Sequence, residues 1–276
     1  MIVCPDLLRV PVVVFVNLMK KPKKKPSTKR PRAIEKFATG KASKAAARSA
    51  GRAFRPTPGL EAGRGPNPKR VQIILKKLQE AYPEAVCELK HQNAFQLLIS
   101  TILSAQCTDV RVNQVTQTLY SKYPDANAFA YANPSELEQD IRPTGFFRNK
   151  TKSIMGASKK VVEEFGGEVP RTVDEILTLP GVARKTANVV LGTAFGIPSG
   201  VVVDTHVQRI SGRLDLTKNQ DPKKIEQDLM KIIPQEDWIR FSHQIIWHGR
   251  RVCVARKPRC IECNLERVCY SKDKTV

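Results

Sequence analysis

Four cysteines crowd into 17 residues near the C-terminus, spaced Cys253-x6-Cys260-x2-Cys263-x5-Cys269, while Cys4, Cys87 and Cys107 are scattered. No other feature restricts the fold so firmly. Four soft thiolates joined by short loops suit a cubane iron-sulfur cluster or a tetrahedral zinc. The spacing alone does not choose between these metals, and its gaps are longer than those of the bacterial ferredoxin run. Such crowding argues for a metal rather than a secreted disulfide framework. Arg256, Lys257 and Arg259 lie between the first two cysteines. Ligation would therefore fix a basic loop suited to a phosphate backbone, with the metal acting as a structural staple.

The rest of the chain has helical periodicity. Val71, Ile74, Leu75 and Leu78 fall at i, i+3, i+4, i+7 and stop before Pro83, which predicts a first helix. Phe95, Leu98, Ile99, Ile102 and Leu103 predict a second, and Val110 to Tyr123 a third. Further helices are expected from Pro134 through Ile141, and over 150–165, 173–179, 185–195, 206–214, 222–233 and 238–248, punctuated by Gly or Pro. Only Val201 to Val203 looks strand-like, so the expected class is all-α.

Charge separates a third region. From Lys20 to Arg70 there are 17 Lys or Arg against Glu35 and Glu61, so 15 of the net +21 charges lie there. Its Pro, Ala, Ser and Gly content has too few apolar residues to offset the entropy of ordering it. A basic, disordered arm is expected over 1–70, one that draws phosphates with a steep salt dependence. KASKAAARSAGRAF would also suit an organelle transit peptide. The apolar stretch Leu7 to Met19 is shorter than the roughly 20 residues a spanning helix needs, and it lacks the charge order and cleavage pattern of a signal peptide. No membrane anchor is expected, and translation from Met19 would explain the stretch. An intracellular protein follows, cytoplasmic and nucleoid-associated if bacterial.

Around residue 180 the text runs Leu177-Thr-Leu-Pro-Gly-Val-Ala-Arg-Lys-Thr186 between two helical stretches. A hairpin this tight leaves the backbone amides of Gly181, Val182, Ala183, Arg184 and Lys185 at a helix N-terminus, where the dipole adds positive potential. That is a cradle for phosphate without base readout; an ordinary packing corner fits the segment too. Lys185 falls in the first turn of the following apolar helix, where a cation is disfavoured and a neutral, nucleophilic amine is favoured. A simple phosphate contact is its other reading. Asp204 follows Val201-Val202-Val203 and precedes Thr205-His206, the place of a helix N-cap or of a carboxylate at a cleft mouth, roles that can coexist. His206 fits packing, capping or a DNA contact.

Taken together, LPGVARKTANVVL, then VDTHV about twenty residues on, then the four-cysteine run, resemble the endonuclease III family, bifunctional DNA glycosylase and abasic-site lyases of the helix-hairpin-helix superfamily. The likeness extends from about Val71 to Tyr270 and includes SAQCTDV at 104–110 and TGFFRNKTK at 144–152. It implies two helical lobes flanking a DNA cleft: a barrel with the hairpin over 88–198, and a discontinuous lobe of 71–87 plus 199–276 holding a [4Fe-4S] cluster. By the same likeness Lys185 would be the Schiff-base lysine, Asp204 the catalytic carboxylate, and Cys253, Cys260, Cys263 and Cys269 the cluster ligands. Gln106 and Phe146 would wedge into the duplex, although without the family Gln106 reads as a helix-end cap and Phe146 as core. Ala183 departs from the family, which usually has a second Gly there; Ala weakens the hairpin only if that backbone needs a positive φ or the closest phosphate approach. The implied activity is excision of oxidised pyrimidines from double-stranded DNA, with a nick 3′ to the abasic site, by a monomer. A water-using glycosylase of the same fold is the nearest rival, which Lys185 opposes. A non-catalytic hairpin protein with structural zinc is a rival of another class.

Overall fold

A computed structural model describes residues 64–275; the basic arm up to position 63, with the expected disorder, the transit-peptide reading and the Met19 start, lies outside them. Eleven α-helices occur among the described residues: α1 Pro68–Ala81, α2 Ala94–Leu103, α3 Asp109–Lys122, α4 Ala126–Ala130, α5 Pro134–Ile141, α6 Phe147–Phe165, α7 Val173–Ile176, α8 Arg184–Phe195, α9 Thr205–Arg213, α10 Pro222–Ile232 and α11 Trp238–Arg251. None of these residues forms a strand. The class is all-α, as expected.

Polar side chains set the boundaries. Asn67, Asn93, Thr108, Asp125, Asn133, Thr172, Asp204 and Asp221 each accept a hydrogen bond from a first-turn amide of the helix that follows, which satisfies donors that otherwise lack partners. Helices α6, α8 and α11 begin without such a cap. Pro occupies the start of α1, α5 and α10, where its missing N–H costs nothing.

The apolar side chains gather into two cores. In the first, α2 is buried along every residue from Phe95 to Leu103. A helix buried on all sides belongs at a centre, and it is surrounded by Val112, Leu119, Phe129, Leu137, Ile141, Ile154 and Val161, closed by Val190 and Leu191 of α8. The second core joins Val71, Ile74 and Leu78 of α1 to Val207, Ile210, Ile225, Leu229, Phe241 and Ile245 of α9 to α11, with Leu265 and Val268 from the cysteine segment. The chain thus leaves the second core after α1, builds the first, and returns through 201–203.

Three expectations change. Val201 to Val203 is buried but belongs to no strand; the Val202 amide donates instead to Ser242 Oγ at 3.0 Å. The helix expected over 173–179 stops at Ile176, and α6 starts at Phe147, ahead of Lys150. Arg70, counted with the basic arm, lies inside α1 and is fully buried.

Candidate active site

The hairpin consists of α7, a turn and α8. Gly181 has φ +77°, and a Cβ there would stand 2.5 Å from Ser153 Cβ, so both backbone and space require glycine. The Val182 amide is not free as expected: it donates to the Leu179 carbonyl at 3.1 Å. Ala183 is the N-cap of α8 with φ −101° and ψ 169°, extended backbone that any residue adopts, so alanine in place of a second glycine carries no strain. Its methyl accepts no hydrogen bond, and the first amides of α8 are left without a side-chain cap. The Arg184 side chain turns to the second core, where Nε meets both carboxylate oxygens of Glu226 at 3.1 Å.

Lys185 and Asp204 line one cavity, with about 590 Å³ of open space, between the two cores. Lys185 is exposed in the first turn of α8 and has no ion pair or hydrogen bond to another side chain among the described residues. Asp204 caps α9: Oδ1 accepts from the His206 and Val207 amides at 2.8 Å each, which leaves Oδ2 without a partner among the described residues. An amine and a carboxylate oxygen therefore meet the same space, and neither is neutralised by the other.

The walls include residues that sequence reasoning missed: Glu88, Asp109, His243, Trp247 and Arg250. Arg250 of α11 reaches across to Glu88 and to Asp109 Oδ2, the latter at 2.5 Å. Burial pulls its guanidinium down, but the two carboxylates outweigh this and hold it firmly charged. Burial pushes the His243 imidazole below the ordinary histidine range, so it is neutral at pH 7. Asp109 falls within the SAQCTDV motif; the others carry no local sequence signal. His206 packs on Gly249, where a Cβ would clash with its ring. Its Nδ1 lies 3.2 Å from Arg209 Nη2 and burial lowers its pKa, so it is a neutral packing residue.

Gln106 and Phe146 stand on two loops outside this cavity's walls. Both have left-handed backbones, φ 54° and 50°, a conformation that costs a side-chain-bearing residue about 1–2 kcal/mol. Phe146 is 62% exposed, so it is not core, and the exposed Gln106 side chain caps no helix. The surrounding structure must hold both in place.

Cys253, Cys260, Cys263 and Cys269 line a second cavity, of about 430 Å³, with Arg213 and His248. Arg213 Nη1 donates to Cys253 Sγ at 3.3 Å, and His248 Nε2 lies 3.5 Å from Cys263 Sγ. Burial, reinforced by the neighbouring cysteines, pushes the Cys263 thiol up to about 11, and burial also raises Cys269. Among the described residues, no three His, Cys, Asp or Glu side chains are gathered as ligands of one ion. Arg256, Lys257 and Arg259 of the first loop are exposed, and Arg259 pairs with Glu262 at 3.6 Å.

The family described as HhH-GPD superfamily base excision DNA repair protein matches residues 99–235. Endonuclease III of Synechocystis sp. is 63% identical over 201 residues, covering 73% of this chain and 90% of the relative. The chain belongs to the endonuclease III family. Endonuclease III of Escherichia coli K12 is 39% identical over 206 residues, 75% of this chain and 97% of that one. A solved structure of a trapped endonuclease III–DNA covalent intermediate superposes with a TM-score of 0.71 at 43% identity, covering 74% of this chain and 96% of that one. The protein is a base-excision-repair DNA glycosylase with lyase activity at abasic sites. No helix among the described residues is long and apolar enough to cross a membrane.

Proposed function

We propose that the protein excises oxidised pyrimidines from double-stranded DNA through a Schiff base on Lys185 and nicks the strand 3′ to the lesion by β-elimination. One observation carries the reading: Lys185 and Asp204, which form no ion pair with any described residue, line the same cavity. Base chemistry in a duplex needs the nucleotide turned out of the stack, at a few kcal/mol. Gln106 and Phe146, exposed on neighbouring loops, are suited to fill the gap that it leaves. The α8 amides beyond Ala183, without a side-chain cap, are suited to a phosphate on the same strand, as are Arg256, Lys257 and Arg259 on the cysteine loop.

Lys185 Nζ forms a bond to the sugar C1′ as the glycosidic bond breaks, its electron pair and a proton leaving with the base. Asp204 stabilises the positive charge developing on the sugar and assists the proton transfers. Ring opening gives an iminium, which acidifies the C2′ proton. Its removal expels the 3′-phosphate, and water then releases the lysine and an unsaturated aldehyde end.

The four cysteines line one cavity together, and four thiolates brought together on short loops suit a [4Fe-4S] cluster. Bound, the cluster would cross-link 253–269 and pin the basic loop. The lobe division follows the two cores, with 88–198 as the hairpin lobe and 71–87 plus 199–276 as the cluster lobe. We expect a monomer acting on chromosomal DNA. Lys185→Ala should abolish nicking of duplex DNA with an abasic site while duplex affinity stays within about threefold; nicking at the wild-type rate would overturn the assignment.

A further inference from the structure

A lysine outside the catalytic cavity ties together the two loops that carry Gln106 and Phe146. Lys150, in the first turn of α6, is 5% exposed. Its Nζ donates to the carbonyls of Leu103 and Thr144, each at 2.8 Å. Its backbone amide donates to the Phe146 carbonyl at 3.1 Å. No carboxylate pairs with it among the described residues.

The place of each acceptor gives these bonds their meaning. Leu103 ends α2, whose last carbonyls need partners from outside the helix. Ser100 O receives the Ser104 amide, Thr101 O the Ser104 hydroxyl and Ile102 O the Ala105 amide. Leu103 O receives Lys150, and a cation at this end of the helix also meets the negative pole of its dipole. Three residues later stands Gln106, at φ 54°. Thr144 in turn precedes Gly145 and Phe146, at φ 71° and 50°. Each strained loop tip therefore hangs from a carbonyl held by the same ammonium, though 40 residues separate the two tips.

We propose that Lys150 is a positioning residue that locks the two wedge loops into one unit, so that Gln106 and Phe146 enter the duplex together. The inference rests on the wedge reading of those two residues. It implies that the lysine serves base extrusion and contributes nothing to the chemistry at C1′.

The test is a mutant cycle read by single-turnover kinetics on duplex DNA with one thymine glycol, beside single-stranded DNA with a preformed abasic site that needs no unstacking. Lys150→Met keeps the length of the side chain and removes its donors. It should slow duplex excision roughly tenfold and leave single-stranded nicking within about twofold. Added to Gln106→Ala with Phe146→Ala, it should slow excision no more than about twofold further. If the two loop substitutions slow excision and Lys150→Met multiplies that loss in full, or if it slows single-stranded nicking as much as excision, the lysine is merely structural and the proposal fails. If the loop substitutions leave excision at the wild-type rate, the wedge reading itself is what fails. Hydrogen exchange on the wild-type protein tests the lock without any variant. The amides of 105–108 and 145–147 should open at one shared rate, and two independent rates would overturn the proposal.

Discussion

The two cores are closed by different means. Around α2, helices pack on one another through Leu, Ile and Phe side chains, each contributing about 1.5–3 kcal/mol when buried, with Tyr120 Oη donating to Gln96 O at 2.7 Å and Lys150 to Leu103 O at 2.8 Å. In the second core, arginines tie a segment with little regular structure to the helices. Fully buried Arg70 donates to Val268 O through Nε at 3.1 Å and Nη2 at 2.7 Å, to Gly65 O at 2.7 Å and to Leu214 O. Tyr82 Oη meets His248 Nδ1 at 2.9 Å, and Arg213 holds the carbonyl of Val254 at 2.8 Å. The cysteine segment that these groups anchor has only short 3-10 turns of its own, too little regular structure to offset its ordering entropy without a cross-link. Lys185 therefore sits on the core built from helix packing and Asp204 on the one that the cysteine segment completes. Their relation across the cavity should respond to the state of the cysteines.

The largest effect is expected from Cys263→Ser. Hydrogen exchange should show amides in 252–275 losing protection and those of α2 keeping it; equal loss in both would erase the contrast between the cores. Arg70→Met comes next, since it strands the buried carbonyls of Val268 and Leu214, and should cost about 3–5 kcal/mol in urea unfolding. In the first core Leu98→Ala should cost about 2–5 kcal/mol and leave the visible absorption of the proposed cluster unchanged in the native state, whereas a weakened absorption would show the cysteine centre to depend on apolar packing in both cores. The smallest effect is one of pH. Burial lowers the folded-state pKa of His206 and His243 below 6.5, so the unfolded chain binds protons more readily. Their contribution is fully present above pH 6.5 and is lost as pH falls below it. His243→Gln should flatten that slope, and an unchanged slope would place the pH dependence elsewhere.

Much of this architecture is written locally. The i, i+3, i+4 spacing of α1 and α2 and the Pro-Gly turn before α8 act within a few residues, and the sequence alone reveals them. Val201 to Val203 misled because β-branched residues favour extended backbone whether or not a partner strand exists; here Ser242 supplies the hydrogen bond. Helix α4, with only ANAFA, is too short to display a period. Within the site, Lys185, Asp204 and the cysteines stand in dense motifs. Glu88 and Arg250 meet across 162 positions of chain, and no local pattern announces such a pairing. The taken amide of Val182 and the relaxed backbone of Ala183 are likewise matters of dihedral angle that residue types leave open.

All the chemistry proposed for the cavity turns on a bond between Lys185 Nζ and the sugar. Borohydride trapping on duplex DNA with one thymine glycol or one abasic site, wild type beside Lys185→Ala, captures that bond itself. We expect a covalent protein–DNA adduct from the wild type that disappears in the variant. An adduct of undiminished yield from Lys185→Ala, or none from a wild-type protein that binds and excises the base, would contradict it.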